Sequence, residues 1–154
     1  MLDAAGDGDL SSVSQITFVA YGTPEPQGSI RSVPTKRGPR LTSTNKDLKV
    51  FRHMVCQIAR MKMSETNQAE PMAGKHVPVE MALEFTFVKP PSVSKRRLWP
   101  TVKPDIDKLE RAILDSVKGV LYVDDGQVVR VVKEKRYGPV EQVHISARVI
   151  EEKP

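Results

Sequence analysis

Three aspartates in the second half of the chain have the residue type and the spacing of divalent-metal ligands. Asp105 and Asp107 are separated by one residue, and the pair Asp124-Asp125 follows about eighteen residues later. Three carboxylates at one point repel one another unless they share a cation, and oxygen ligands alone favour Mg²⁺ or Mn²⁺. The spacing therefore predicts a metal site formed by Asp105, Asp107 and Asp125.

Each of these aspartates also has a purely structural interpretation. Asp105 can serve as a helix N-cap, and Asp107 can be a first-turn acid that interacts favourably with the helix dipole. The Asp-Asp-Gly sequence that contains Asp125 is also typical of a tight turn. The metal site becomes the better explanation only if the fold brings the three carboxylates together.

The predicted geometry allows this convergence. Residues two apart on a helix point about 200° away from each other, so Asp105 and Asp107 converge only if Asp105 lies in the capping segment. A helix of about eleven residues after Asp107 covers roughly 17 Å and then turns at Gly119. An extended, antiparallel return from Val120 covers roughly 18 to 20 Å and would place Asp125 beside the other two acids.

Arg111 lies one helical turn after Asp107 on the same predicted helix face. It either forms an i,i+4 ion pair with Asp107, worth about 0.2–0.5 kcal/mol, or stabilises the charge of a phosphate as its bond breaks. Both roles remain open from the sequence.

The distribution of charge suits a polyanionic substrate. The net charge is +5, but residues 1–30 hold four acids and no base, whereas residues 31–70 hold nine bases and three acids. Six acids fall between Asp105 and Asp125. A basic surface attracts phosphate that bare carboxylates would repel. The alternative is a solvated charged surface without a nucleic-acid partner.

Hydrophobic periodicity predicts the elements that must position these residues. In chain order they are a strand at 16–21, a helix at 45–63, a strand at 79–87, a helix at 106–117, a short strand at 120–123, and strands at 128–135 and 143–150 around Gly138-Pro139. The main order β-α-β-α-β-β predicts an α+β fold, with helices on one face of a mixed sheet. We expect one compact domain at 15–151, after a flexible acidic tail at 1–14.

Two basic loops flank the acids. The first runs from 22 to 44, where Gly38 and Pro39 are expected to keep the chain irregular, and the second runs from 92 to 103. Trp99 in the second loop either stacks on a nucleobase or anchors the loop. The residues predicted to bind DNA are Arg31, Lys36, Arg37, Arg40, Arg96, Arg97, Lys103 and Lys108.

Composition excludes several other classes of protein. The 154 residues fit one soluble domain, and Cys56 is the sole cysteine, so neither an intrachain disulfide nor a Cys/His zinc cage is expected. No apolar run approaches the roughly 18 residues that a membrane span needs. Acids and no bases open the chain, the opposite of a secretory signal, so we expect a cytoplasmic protein.

Two sequence motifs contain the candidate aspartates. Lys103-Pro-Asp-Ile-Asp-Lys-Leu-Glu-Arg-Ala-Ile-Leu-Asp115 is followed by the segment 119–122 and then by Asp124-Asp125-Gly-Gln-Val128. Together they resemble the signature of RusA-like crossover junction endodeoxyribonucleases, and a looser resemblance extends over 16–150. It implies an α+β homodimer that resolves four-way (Holliday) DNA junctions in recombination and repair, with Mg²⁺ as cofactor and Mn²⁺ as a substitute. Many members are encoded by phages and prophages.

The resemblance also implies a role for individual residues. The metal-binding acids of the family fall on Asp105, Asp107 and Asp125, which would therefore be catalytic, and its catalytic lysine falls on Arg111. Arginine stays charged but does not donate a proton as lysine can, so charge stabilisation is the role implied there. Lys108 stands where the family has asparagine.

Two other functions remain compatible with the sequence. The chain could be a non-catalytic DNA-binding module whose acids only cap a helix and form a turn. It could also be a carboxylate-metal nuclease that acts on another branched or single-stranded nucleic acid. Cleavage assays on duplex, flap, single-stranded and four-way substrates distinguish these functions.

Overall fold

The computed structural model describes residues 14–28, 31–42 and 46–152. Its helices and strands are β1 (Gln15–Tyr21), β2 (Arg31–Thr35), β3 (Gly38–Thr42), α1 (Lys46–Glu65), β4 (Val79–Phe87), α2 (Ile106–Val117), β5 (Val128–Tyr137) and β6 (Gln142–Val149). This is the predicted α+β architecture, and the order β-α-β-α-β-β is confirmed for all elements outside the β2–β3 hairpin.

The main sheet is mixed, with strand order β1-β6-β4-β5. β6 is antiparallel to both β1 and β4, whereas β4 and β5 are parallel and pair from Val79↔Val128 to Phe87↔Tyr137, with a register shift after Val79. The chain from β4 through α2 to β5 is therefore a βαβ unit, in which the helix runs back along the sheet. One end of α2 consequently lies near the sheet edge where β4 ends, and the other near the edge where β5 begins.

Alternation of apolar and polar residues explains which face of the sheet is covered. The inward residues of β1, β4 and β6 form one core with the apolar sides of both helices. In β4 the predicted alternation is confirmed as far as Phe85, because Val79, Met81, Leu83 and Phe85 are all buried. It ends there, since Thr86 is buried and Phe87 is half-buried. The core therefore fixes both ends of α2, where the candidate functional residues lie.

The basic segment predicted as an irregular loop contains a β-hairpin, so that prediction is wrong. β2 and β3 pair around a turn at Lys36-Arg37, and Gly38 supplies the positive φ of 104° that this turn requires. Pro34 pairs with Pro39. Proline has no backbone N–H to donate. It is compatible with an isolated two-stranded ribbon because the outward-facing N–H groups of such a ribbon form no inter-strand hydrogen bond.

One further expectation is corrected, because the segment 120–123 is a turn and not a strand. Gly138-Pro139 lies at the predicted turn between β5 and β6. These two strands are not neighbours in the sheet, because β4 lies between them. Residues 1–13 of the predicted acidic tail lie outside the described residues, and the domain limits stay predictions. No helix in the described ranges combines the length and the hydrophobicity of a transmembrane segment.

Candidate active site

Asp105 stands at the N-cap of α2 but does not cap it. Its backbone is extended (φ −72°, ψ 139°), and its side chain accepts no hydrogen bond from the helix. Its only ion pair within the described chain is a long one, in which Lys108 Nζ lies 3.7 Å from Asp105 Oδ2. The capping interpretation therefore does not account for this carboxylate, which remains available for a ligand.

Asp107 and Arg111 are both exposed on α2. Unlike Lys108 and Asp105 in the same part of the helix, these two described residues form no ion pair with each other. The structure therefore lacks the i,i+4 pair that would have given Arg111 a purely structural role. A carboxylate and a guanidinium are left one turn apart on the helix surface.

Two clefts meet at Asp105. An open cleft of about 790 Å³ is lined by Asp105 and Asp107 together with Trp99, Val102 and Lys135. A second cleft, of about 480 Å³, lies on the other side of Asp105 and is lined by the loop 23–28, Lys103 and Lys108. The N-terminal end of α2 thus presents two carboxylates to open space bordered by cationic side chains.

Hydrogen bonds from neighbouring elements hold the walls of these clefts. Lys135 on β5 donates from Nζ to the carbonyls of Val102 (2.8 Å) and Pro104 (2.9 Å). The backbone N–H of Gln27 donates to the carbonyl of Lys108 at 2.9 Å, which ties the loop after β1 to the first turn of α2. Both segments that lead into the site are therefore fixed to regular structure.

The Asp124-Asp125 turn is built around Gln127, a residue for which the sequence analysis predicted no role. The Gln127 side chain is 8% exposed. Its Oε1 accepts from the N–H groups of Val123 (2.8 Å) and Asp124 (2.9 Å), and its Nε2 donates to the carbonyls of Gly74 (2.7 Å) and Val77 (3.0 Å). A buried glutamine that satisfies four backbone groups fixes the position of this turn.

The two aspartates of the turn have different surroundings. Asp124 Oδ1 accepts from the N–H of Gly126 at 3.3 Å and so caps the short 3₁₀ turn at Asp125–Gln127. Asp125 Oδ1 is buried and contacts the ammonium of Lys118, whose Nζ lies 3.2 Å away. The structural interpretation holds for Asp124, whereas the Asp125 carboxylate forms an ion pair with Lys118.

The negative charge of Asp125 affects two neighbouring groups. Its close contact with Lys118, together with the charge of Asp124, raises the pKa of the Lys118 amine. Burial raises the pKa of Tyr122, and the charges of Asp125 and Asp115 raise it further. The Tyr122 hydroxyl accordingly stays protonated and donates to the carbonyl of Leu114 at 2.6 Å. Sequence reasoning gave Lys118 no role, because its partner lies on a turn after the helix.

Asp125 does not lie beside Asp105 and Asp107 within one chain, so that expectation is wrong. Residues 120–122 form a buried turn, in which Gly119 N–H donates to the Tyr122 carbonyl at 2.7 Å, and not an extended return. From Val128 at the start of β5 to Lys135 beside Pro104 the strand covers roughly 23 Å at about 3.3 Å per residue. Among the residues that the structure describes, no three His, Cys, Asp or Glu side chains form a metal-binding group.

The carboxylates nevertheless differ in how well they fit Mg²⁺. This ion binds through one or two carboxylates and completes its shell with water and substrate phosphate. Asp105 and Asp107 line one cleft and are not committed to capping, so they fit such a site. Asp125 has the right chemistry but is ion-paired with Lys118 and lies at the other end of α2. Its role as a metal ligand stays a prediction, as do those of Asp105 and Asp107.

Four of the eight predicted DNA-binding residues lie in the first turn of α2 or on the loop that leads to it. Lys103 borders both clefts, and Lys108 borders the smaller one. Arg96 and Arg97 are exposed on the loop that leads to α2. Lys36 and Arg37 are exposed at the tip of the hairpin, whereas the side chains of Arg31 and Arg40 lie outside the described part of the structure.

Comparisons with known proteins show the family to which the chain is similar. A family model described as Endodeoxyribonuclease RusA matches residues 22–148. A protein of Bacillus subtilis (strain 168), described as "Uncharacterized protein YqaN", is 28% identical over 142 residues, which cover 88% of this chain and 96% of that protein. The family match includes both clefts, α2 and the Asp124-Asp125 turn.

Proposed function

Because the chain belongs to the RusA endodeoxyribonuclease family, we propose that it is a Mg²⁺-dependent endonuclease that resolves four-way DNA junctions by paired, symmetric phosphodiester hydrolysis. Family membership supports a Holliday junction endonuclease, and recombination and repair in the cytoplasm are the proposed setting. The observation that carries the proposal is the open cleft at the start of α2. Asp105 and Asp107 line this cleft, and the Asp105 carboxylate forms no capping hydrogen bond with the helix.

Asp105 and Asp107 would hold the metal ion in this cleft. When bound, Mg²⁺, or Mn²⁺ in its place, supplies an activated water and stabilises the leaving oxygen. The chain itself positions the substrate. Lys103 at the border of the cleft attracts the phosphate that the two carboxylates would repel in the absence of a cation.

Arg111 would act on the same phosphate. Its guanidinium is exposed one turn after Asp107 and has no ion pair with that residue. A guanidinium stays positively charged and can contact two phosphate oxygens at once. Arg111 therefore stabilises the negative charge that develops during cleavage and takes no part in proton transfer.

A homodimer accounts for both the paired cuts and the position of Asp125. Two symmetric cuts require two sites, and a C2 dimer of this small domain is the simplest assembly with two. If the two α2 helices of such a dimer lie antiparallel, the C-terminal end of one lies beside the N-terminal end of the other. Asp125 of the partner subunit would then complete the ligand set of Asp105 and Asp107.

One property of Asp125 is compatible with this arrangement. Its Oδ1 contacts the ammonium of Lys118, with Nζ 3.2 Å away, which offsets part of the negative charge of the carboxylate. A carboxylate has two oxygens and several acceptor positions, so Asp125 can keep this contact and also bind a cation.

A panel of DNA substrates tests the proposed function. The purified protein is incubated with duplex, flap, single-stranded and four-way substrates of matched sequence, with Mg²⁺ or with a chelator. We expect paired cuts in the four-way junction alone, and only with the metal. Equal cleavage of flap or single-stranded DNA would instead identify a nuclease of different substrate shape, and binding without cleavage of any DNA would identify a non-catalytic module.

A further inference from the structure

Trp99 is the only tryptophan of the chain, and it does not anchor its loop. The residue is 52% exposed, whereas the adjacent Pro100 is buried. Pro100 thus provides the contact with the domain, and the Trp99 ring borders the cleft that also contains Asp105 and Asp107. About half of this large apolar ring is exposed to water beside two carboxylates. Its position is therefore not explained by a contribution to the stability of the domain.

The loop around Trp99 is held in place from both sides. Lys89 Nζ donates to the carbonyl of Arg97 at 2.6 Å before the ring, and Lys135 Nζ donates to the carbonyl of Val102 at 2.8 Å after it. The N–H of Thr101 also donates to the carbonyl of Trp99 at 2.9 Å. The backbone of the loop is therefore ordered before any ligand arrives, which lowers the entropic cost of a contact with the ring.

The side chains around Trp99 indicate what the ring contacts. Arg96 and Arg97 are exposed just before it, and Lys103 borders the same cleft. An aromatic ring among cations is the arrangement by which proteins bind unpaired nucleic acid, in which the base stacks on the ring and the cations contact the phosphates. We propose that Trp99 stacks on a nucleobase that is unstacked at the branch point of the junction, and so fixes the scissile phosphate beside Asp105 and Asp107.

This inference rests on the proposed function, because it takes branched DNA as the substrate. Bases inside a continuous duplex are stacked on both neighbours, and removing one from the stack costs a few kcal/mol. That cost is smallest where pairing is already interrupted, as at a branch point. Trp99 is therefore a specificity-determining residue that favours branched DNA over linear duplex.

A second subunit is the competing occupant of this surface. Leu98 (75% exposed) and Val102 (52% exposed) extend the apolar surface next to Trp99. The centre of a protein interface, however, is depleted of charge, whereas this loop carries Lys95, Arg96 and Arg97 in succession. Two copies of such a loop would repel each other, while the same charges attract the DNA backbone.

The fluorescence of the sole tryptophan reports directly on this stacking. The full chain is titrated in a chelator, so that no cleavage occurs, with a four-way junction and with a linear duplex of matched sequence. We expect the junction to quench the Trp99 emission, because a base stacks on the ring, and the duplex to leave it largely unchanged at saturation. Unchanged emission with saturating junction would overturn the proposal.

Affinities of variants, measured by anisotropy of labelled DNA, provide the second test. Trp99→Ala should weaken junction binding by about 5- to 150-fold, the equivalent of the ~1–3 kcal/mol of one base–aromatic stack, and change duplex binding little. Trp99→Phe retains a ring and should stay within about threefold of the parent. Val132→Ala, which shortens an exposed apolar residue on β5, is the matched control and should change neither affinity.

The outcomes separate this inference from the proposed function. Equal weakening of junction and duplex binding by Trp99→Ala, or an altered oligomeric state of that variant in sedimentation, would overturn the stacking role. If Trp99→Ala binds and cleaves junctions like the parent, the endonuclease function stands and the inference fails. If quenching and the junction-specific weakening occur but no DNA is cleaved, the inference stands and the endonuclease function fails.

Discussion

Lys118 Nζ lies 3.2 Å from Asp125 Oδ1, just past the last residue of α2. Asp105 stands at the N-cap of the same helix, and a helix of 12 residues is about 18 Å long. The acids that the sequence groups together therefore lie at opposite ends of α2, separated by its length. This separation is the reason for the proposal that Asp125 completes the site of a partner subunit.

Neutralising the acids should separate cleavage from binding. Asp105→Asn, Asp107→Asn and Asp125→Asn should each abolish junction cleavage in Mg²⁺, because each removes a proposed metal ligand. Junction binding in a chelator should stay intact or become tighter, because each variant has one carboxylate fewer to repel phosphate. Gel-based cleavage and anisotropy measure the two effects.

Asp124→Asn is the matched control for these variants. Its side chain accepts from the N–H of Gly126, and an asparagine oxygen can accept the same bond, so cleavage should be much less affected. Cleavage within about tenfold of the parent for any of the other three variants would remove that residue from the site.

The contribution of Arg111 to the rate of cleavage should depend on its positive charge and not on transfer of a proton. Arg111→Lys should retain or raise the rate of cleavage, because the positive charge is kept. Arg111→Ala should lower the rate by at least about tenfold, because charge on the phosphate is no longer stabilised in the transition state. Single-turnover kinetics measure the effect, and unchanged turnover of the alanine variant would exclude Arg111 from catalysis.

The basic loop before α2 should bind phosphate. Arg96→Ala combined with Arg97→Ala should weaken junction binding and lower the slope of log K against log salt by about one for each phosphate that the variant no longer binds. Circular dichroism should show an unchanged fold, since both residues are exposed. A parental salt slope in the double variant would mean that this loop does not face DNA.

Gln127 should contribute to the stability of the fold and take no direct part in catalysis. Gln127→Ala removes the partners of four buried or half-buried backbone groups, so the free energy of unfolding should fall by about 2–4 kcal/mol. Gln57→Ala, at an exposed position on α1, is the control and should cost less than about 0.5 kcal/mol. Urea unfolding measures both, and equal stabilities would contradict the role assigned to Gln127.

Local patterns predicted most of the fold. The alternation in β4 and the helical spacing in α2 each reflect one face buried against a single core, and such patterns are visible in the sequence itself. The strand prediction for 120–123 is wrong because Val, Leu and Tyr favour strands by their intrinsic propensity. The actual turn of this segment depends on interactions with distant residues, such as the bond from Ala73 N–H to the Leu121 carbonyl at 2.9 Å.

The residue types of the candidate site could be predicted from the sequence, but the position of each residue in space could not. Asp105 and Asp107 lie close together in sequence, so a helix start there brings both to one cleft. The position of Asp125 depends instead on Gln127, whose amide donates to Gly74 and Val77, about fifty residues away. No local pattern contains that information.

A mixed dimer tests the central claim most directly. One subunit carries Asp105→Asn and the other Asp125→Asn, and the heterodimer is isolated through two different affinity tags. If the ligands come from two subunits, this heterodimer keeps one complete site, formed by Asp105 and Asp107 of one chain and the partner's Asp125. We predict that it nicks one strand of a four-way junction in Mg²⁺, while both mutant homodimers are inactive. A heterodimer as inactive as the homodimers, with an active doubly tagged parent, would contradict the shared site.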